Sequence, residues 1–260
     1  VCSSDLEQML AQQDAAKDAI AGSGGPAGLE ALLKSRALPV GAKIKDGTNF
    51  SKDTRGNWFL NVCIEVADVP LREPLRGVGI DLGLKDFAVL STGEKIDAHR
   101  LYRGAEESLA TAQRARKKRR VKAILAKTAN RRNDFQHKLS HRIVREFDYI
   151  AVGNVSAAKL AKTSMAKSVL DAGWSSFRKK LAYKAVRHGA WFEEVSEAFS
   201  SQVCSNCGAL PDSRPKGSAD LGIREWRCSD CACVHDRDHN AALNILRRGR
   251  ATLAVGIPAL

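Results

Sequence analysis

Two short runs, CSNC at 204–207 and CSDC at 228–231, constrain this chain more than any other feature. Each puts two thiols on one tight turn, and 20 residues separate the pairs. A tetrahedral zinc ion needs four soft ligands, and two such turns supply them at the spacing of a zinc ribbon. Cys204, Cys207, Cys228 and Cys231 are therefore the expected ligands of one structural Zn²⁺. Cys233 is a competitor, but the two-residue spacing favours Cys231. A site closed by four cysteines folds a ribbon and does no chemistry of its own.

The charge is as uneven as the cysteines. The formal net charge is +13 and the isoelectric point near 9.6, which favours a polyanionic partner. Between Arg103 and Arg145 fourteen Lys and Arg face three acids. The spacing there predicts one long basic helix over 104–146, with Phe135, Leu139 and Ile143 burying a stripe and Arg131, Lys138, Arg142 and Arg145 forming the next. Most charge runs are solvated faces. This one is dense and one-sided, so Arg114, Arg116, Lys117, Lys118, Arg119 and Arg120 join that second stripe as expected nucleic-acid contacts, reading backbone charge rather than base sequence. No run approaches the roughly 18–20 apolar residues of a membrane span, and no leader pattern opens the sequence. The seven cysteines then read as metal ligands or free thiols, and the expected setting is the cytoplasm.

Along the chain, VCSSDL (1–6) back-translates to the tail of a common sequencing adapter and is expected to be foreign, so Cys2 has no role. Residues 7–22 have helical composition and GSGGPAG (22–28) breaks them like a linker, leaving 7–54 an unassigned N-terminal segment. GNWFLNVCIEV (56–66) reads as one strong strand with Cys63 in its core. RGVGIDLGLKDFAVLSTGEKIDA (76–98) reads as a three-strand meander turning at STGE. After the basic helix come a strand at YIAVGNV, a helix over 174–188, a strand at 190–195, the cysteine loops, a helix from about Asp238 to Arg247, and a loose tail at 249–260. A meander followed by alternating helix and strand is the element order of an α/β fold of the ribonuclease H type.

Two aspartates stand out. Asp81 ends the buried run VGID between Gly79 and Gly83, and Asp238 opens the helix that follows the ribbon. Taken singly, one is a turn residue and the other a helix cap. Together they can hold Mg²⁺, and a third acid usually completes a two-metal phosphodiester site.

In combination these segments resemble the transposon-encoded TnpB family, OrfB-type proteins often labelled transposases and related to the type V CRISPR nucleases. GIDLGLKDFAVLSTGE resembles that family's first RuvC motif, NRRNDFQHKLS its bridging helix, GWSSFRKKLAYKA the helix after its second motif, and FSSQVCSNCG with CSDC and DRDHNAALNI its zinc ribbon and third motif. The resemblance covers about residues 55–248. It implies a prokaryotic, nucleoid-associated RNA-guided DNA endonuclease: a transposon-derived guide RNA pairs with target DNA, and a RuvC site with two Mg²⁺ cuts it. It carries the first and third catalytic aspartates over to Asp81 and Asp238, the latter rather than Asp236. The implied order is the end of a β-barrel-like domain at 55–75, a RuvC-like domain at 76–203, the ribbon at 204–233 and the last motif at 234–248.

Two departures matter. Most of the family's N-terminal half is not in this sequence. The second motif, usually V-E-D-L, reads V-G-N-V at 152–155: Gly153 cannot bind metal and Asn154 offers only a neutral oxygen. A replacement is expected at Glu197, just past the strand 190–195 and where the family more often carries proline; Glu193 and Glu194 are weaker choices. The alternatives are a guided DNA binder that has lost cleavage, for which Gly153 argues, and a plain zinc-ribbon nucleic-acid-binding module.

Overall fold

The structure is a computed structural model that describes residues 43–256 except 48, 62, 157–159, 161, 163, 164, 217 and 218. The expected helix at 7–22, the linker at 22–28 and the last four residues of the tail lie outside the described residues. The chain divides into two compact units, with the break between Asp68 and Val69.

The described part of the first unit is two antiparallel ladders. Strands β1 (Lys43–Ile44) and β4 (Ile64–Glu65) form one, β2 (Asn49–Lys52) and β3 (Trp58–Asn61) the other. Asp53 nucleates the β2–β3 turn, accepting hydrogen bonds from the backbone N–H groups of Arg55 (2.8 Å) and Asn57 (2.9 Å). The single strand expected over 56–66 is thus two strands with different partners. The first of these ends at Asn61 and the second begins at Ile64, and Cys63 is exposed rather than in a core.

The second unit is a mixed α/β structure on a five-stranded sheet. Strands β5 (Gly77–Leu82), β6 (Asp86–Leu90) and β7 (Lys95–Asp97) form the expected meander, and β8 (Tyr149–Gly153) and β9 (Trp191–Val195) extend it from the other side of β5. The order is β7-β6-β5-β8-β9, antiparallel through the meander and parallel from β5 to β8 to β9. β8 is buried throughout, which is why YIAVG reads as a continuous apolar run rather than an alternation.

Helices cover both faces. Val78, Ile80 and Leu82 point into one core with Ile143 and Val144 of α2 (Lys118–Glu146) and Phe177 and Leu181 of α4 (Trp174–His188). Between these come the short α3 (Ala166–Ala172) and, before α2, α1 (Glu106–Arg114). The other face is covered by α5 (Arg237–Gly256) through Ile245, Leu246 and Leu253 against Tyr149, Ala151 and Val195. α5 therefore runs well beyond Arg247: Leu246 and Leu253 are seven apart on one face, and burying both keeps most of the expected tail helical.

The basic stretch is two helices, not one. α1 ends at Arg114, Arg116 takes a positive φ of 51°, and α2 begins at Lys118. No Gly or Pro marks the break; it falls where like charges three and four apart weaken the helix from within.

Gly79 sets how closely α5 lies on β5. A Cβ there would overlap the Ala242 carbonyl oxygen and come within 2.7 Å of the Leu246 nitrogen, both backbone atoms that cannot swing away. Gly79→Ala is expected to cost about 3 kcal/mol by overpacking, read as a lowered Tm. An unchanged Tm would contradict this packing.

Candidate functional site

The parallel strands β5, β8 and β9 end on one edge of the sheet. Ile80 pairs with Val152 and Gly153 with Val195, so Asp81, Gly153 and Val195 stand in a row across that edge. Glu197 follows two residues past the end of β9. Its half-buried side chain turns back over Gly153: a Cβ added at Gly153 would lie 3.4 Å from Glu197 Oε2 and 3.4 Å from its Cβ. Asn154 fixes that turn. Its N–H donates to the Val195 carbonyl (2.9 Å), and its Oδ1 accepts the Glu197 N–H (3.3 Å). The Asn154 oxygen is thus engaged in holding the Glu197 backbone.

The other glutamates of this strand are engaged elsewhere. The Tyr149 hydroxyl donates to Glu193 Oε2 at 2.7 Å, and Arg178 lies 3.4 Å from Glu194.

Asp238 comes from the first turn of α5, and the helix cap is a different residue. Oδ1 of Asp236 accepts the N–H groups of Asp238 (3.1 Å) and His239 (2.9 Å), which is the N-cap geometry. That frees the Asp238 carboxylate from capping. It faces Arg224, whose Nη1 is 3.0 Å from Oδ2. Lys95 Nζ meets Asp236 at 2.6 Å, tying the start of α5 to β7.

Electrostatics link the three acids. The Asp81 carboxyl is held well above the usual carboxylate range, first by burial, then by repulsion from Asp238 and from Glu197, with Arg237 pulling the other way. Burial also raises Glu197, against the attraction of Arg178. Such a site favours cations. The three carboxylates are not drawn into one tight cluster, however. Among the described residues the only group of three or more potential ligands within 4.8 Å of one another is the four cysteines.

Those four fit zinc. A tetrahedron of sulfurs around zinc at about 2.3 Å has edges of about 3.8 Å. Cys204 Sγ lies 3.6 Å from Cys231 Sγ and Cys207 Sγ 3.8 Å from Cys228 Sγ, far beyond a disulfide bond of about 2.05 Å. Cys233 is outside the cluster, its Sγ 3.7 Å from the Val234 carbonyl. The buried His235 packs against Trp226, and its Nε2 stands 3.0 Å from Cys204 Sγ. The cluster can hold one metal ion such as zinc.

Two residues that the sequence reading passed over join ribbon to sheet. Asn240 and Asn244, four apart on α5 and buried, both donate through Nδ2 to the carbonyls of Ser200 and Val203, and Asn240 Oδ1 accepts the Ser205 N–H at 2.9 Å. The signal available was two asparagines one turn apart on a helix's apolar face. A buried amide there requires partners, which the chain leading to Cys204 provides.

The basic residues divide. Arg114, Arg116, Lys117, Lys118, Arg119 and Arg120 are all exposed around the α1–α2 elbow, as are Arg131 and Arg145 on α2. Arg142 is clamped by both oxygens of Glu94 (3.0 and 2.8 Å), and Lys138 pairs with Asp134 (2.8 Å). The expected stripe is thus partly neutralised within the fold.

Comparison with known proteins matches residues 61–164 to the family described as "OrfB_IS605: Probable transposase" and residues 174–245 to "Cas12f1-like, TNB domain". A "Putative RNA-guided DNA endonuclease" of Streptomyces pristinaespiralis is 38% identical over 236 residues, covering 85% of this chain and 57% of that protein. "Putative RNA-guided DNA endonuclease InsQ" of Escherichia coli is 26% identical over 230 residues, covering 77% and 56%. The chain thus spans little more than half the length of these curated relatives. In fold it is similar to a chain of the "Cas12f1-sgRNA-target DNA complex", with a TM-score of 0.52 and 18% identity over 79% of this chain and 55% of that one. Among the described residues no helix is long and apolar enough to cross a membrane.

Two outcomes are expected. The purified chain should carry one zinc, lost in Cys207→Ser and kept in Cys233→Ser; a full zinc complement in Cys207→Ser would contradict the ligand set. The raised Asp81 and Glu197 carboxyls mean that the fold binds more protons than the unfolded chain above the ordinary carboxylate range, so they lower stability as pH rises toward neutrality. Asp81→Asn and Glu197→Gln should therefore raise Tm at pH 7 by about 3 °C or more without added divalent cations, and by less near pH 4. Lowered Tm values at pH 7 would contradict this.

Proposed function

The chain belongs to the TnpB-like, OrfB-type family, and from that premise we propose that it is the part of an RNA-guided DNA endonuclease that carries the cutting site. The sheet, with its antiparallel meander continued by two parallel strands and helices on both faces, reads as a ribonuclease H-like (RuvC) domain, followed by a zinc ribbon that α5 returns to the sheet. The observation that carries the reading is the convergence on one sheet edge of Asp81 with Glu197 and Asp238, both near enough to raise the Asp81 carboxyl.

The residues present suit divalent cations. Asp81 is a desolvated carboxyl facing two others, and Asp238 is matched with a cationic side chain, Arg224. Asp81, Glu197 and Asp238 would hold two Mg²⁺, which when bound supply an activated water and stabilise the leaving oxygen of a DNA phosphodiester. Glu197 serves in place of the missing second-motif glutamate, since its carboxylate occupies the space beside Gly153 into which a side chain at 153 would project. Asn154 orients Glu197 through the backbone. Arg237 favours the ionised form of Asp81, and Arg224 would have to leave Asp238 for a cation to bind there. Pairing between guide RNA and DNA would supply sequence specificity, while the exposed cations of the α1–α2 elbow hold the nucleic-acid backbone.

A second reading, guided DNA binding without cleavage, is favoured by the Arg224–Asp238 pair and by the glycine at 153. Cleavage decides between them. The chain is joined to the N-terminal half of a relative, supplied with guide RNA, and given labelled target DNA with Mg²⁺ or Mn²⁺. Asp81→Ala, Glu197→Ala and Asp238→Ala should each lower cleavage at least about a hundredfold, and Gly153→Glu should restore part of the loss in Glu197→Ala. Full cleavage by Glu197→Ala would exclude Glu197 as a ligand. Guided binding with no cleavage by the unmodified protein would establish the second reading.

A further inference from the structure

On the sheet face opposite α5, a cavity of about 300 Å³ opens between the β5–β6 loop, the segment after β7, α2 and α3. Its walls are apolar and aromatic. Phe87 and Phe135 meet edge-on with centroids 5.1 Å apart, and the exposed His99 stands against Phe135 at 4.3 Å. Its mouth is cationic, with Lys85, Arg100 and Arg103 all exposed. Through His99, Arg100 and Leu101 it continues into a second cleft of about 390 Å³, lined by Arg120, Lys127 and Arg131 along one side of α2.

Two features mark this as more than a solvated basic surface. Asp171 is the one carboxylate among the described residues lining either cleft, and it is already engaged: both its oxygens accept the Tyr102 N–H at 2.9 Å, and Arg132 stands 3.8 Å away. Apart from Arg132, the cations lining the groove therefore have no acid in it to answer them. Arg100, at the junction of the two clefts, holds a left-handed φ of 42°, a cost that a non-glycine residue bears where the surroundings hold it in place.

We propose that the first cavity takes one unpaired nucleobase of a nucleic-acid strand whose phosphates run along the second cleft. An aromatic, apolar wall suits the face of a base, and a base can enter such a walled cavity only when it is out of a duplex stack. The flanking phosphates meet Lys85 and Arg100 at the mouth, then the cations of α2. Gly83, which lines the cavity, is two residues from Asp81, so a strand anchored there passes the same edge of the sheet as the carboxylates. The inference deepens the nucleic-acid-binding part of the proposed function and does not depend on cleavage.

The test uses the full zinc-loaded chain and a roughly 12-nucleotide oligonucleotide carrying one 2-aminopurine, as DNA, as RNA, and as a blunt DNA duplex. Single strands should bind at least tenfold tighter than duplex and change the 2-aminopurine emission; preference between DNA and RNA then names the strand. Lys85→Ser with Arg100→Gly, which suits the backbone at 100, should reduce the slope of log affinity against log salt by about 1.4. Ala98→Phe, which fills the cavity from its wall, should abolish the emission change while leaving that slope as it was. Equal affinity for duplex and single strand, or an unchanged salt slope in the Lys85/Arg100 variant, would overturn the proposal, and both variants are checked for an unaltered Tm.

Discussion

Everything at the candidate site depends on how closely α5 can lie against β5. With a side chain at 79 the helix would stand off the sheet, and Asp238, in its first turn, would move away from Asp81 at the strand's end. The same helix anchors the ribbon, because Asn240 and Asn244 bind the two carbonyls that lead into the first cysteine pair. A metal on the four cysteines would act at the candidate site only through position: closing the cluster would fix the chain that leads into Asp238, including the strand that begins just after Arg224. Carboxylate, helix and ribbon form one mechanical unit.

A second constraint is charge. Burial and the neighbouring Asp238 and Glu197 raise the proton affinity of Asp81, and a fold gains nothing from that unless cations follow. Replacing the usual glutamate at 153 by glycine would leave the edge short of charge. On the proposed reading Glu197 supplies that charge from just past the neighbouring strand, and parallel pairing makes this possible: β8 and β9 end side by side, so a side chain just past the end of one can reach the space above the other. Asn154 would then be the device that aims it.

Much of this was legible in the sequence, and the reasons differ by element. The four cysteines are read from spacing because two tight turns leave little freedom, and the meander and α4 are read from strong periodicity and turn residues. The split in the basic helix was not legible, since no Gly or Pro announces it and only the summed repulsion of neighbouring cations does. The strand 56–66 misled because its composition suits a strand throughout, while the change of ladder partner between Asn61 and Ile64 is a tertiary event. The length of α5 was missed because Leu253 is helical only by virtue of what it packs against. At the site, the cap on α5 illustrates the limit: Asp236 and Asp238 are equivalent by residue type, and only the hydrogen bonds show that Asp236 is used up. Arg224, fourteen residues before its partner, carried no signal at all.

The most direct test of the central claim is a crystal structure of the chain soaked with Mn²⁺, read from the anomalous signal of the metal. The account predicts manganese bound by Asp81, Glu197 and Asp238 together, with Arg224 released from Asp238. Manganese on the two aspartates with Glu197 turned away, or none there with the Arg224–Asp238 pair intact, would contradict it.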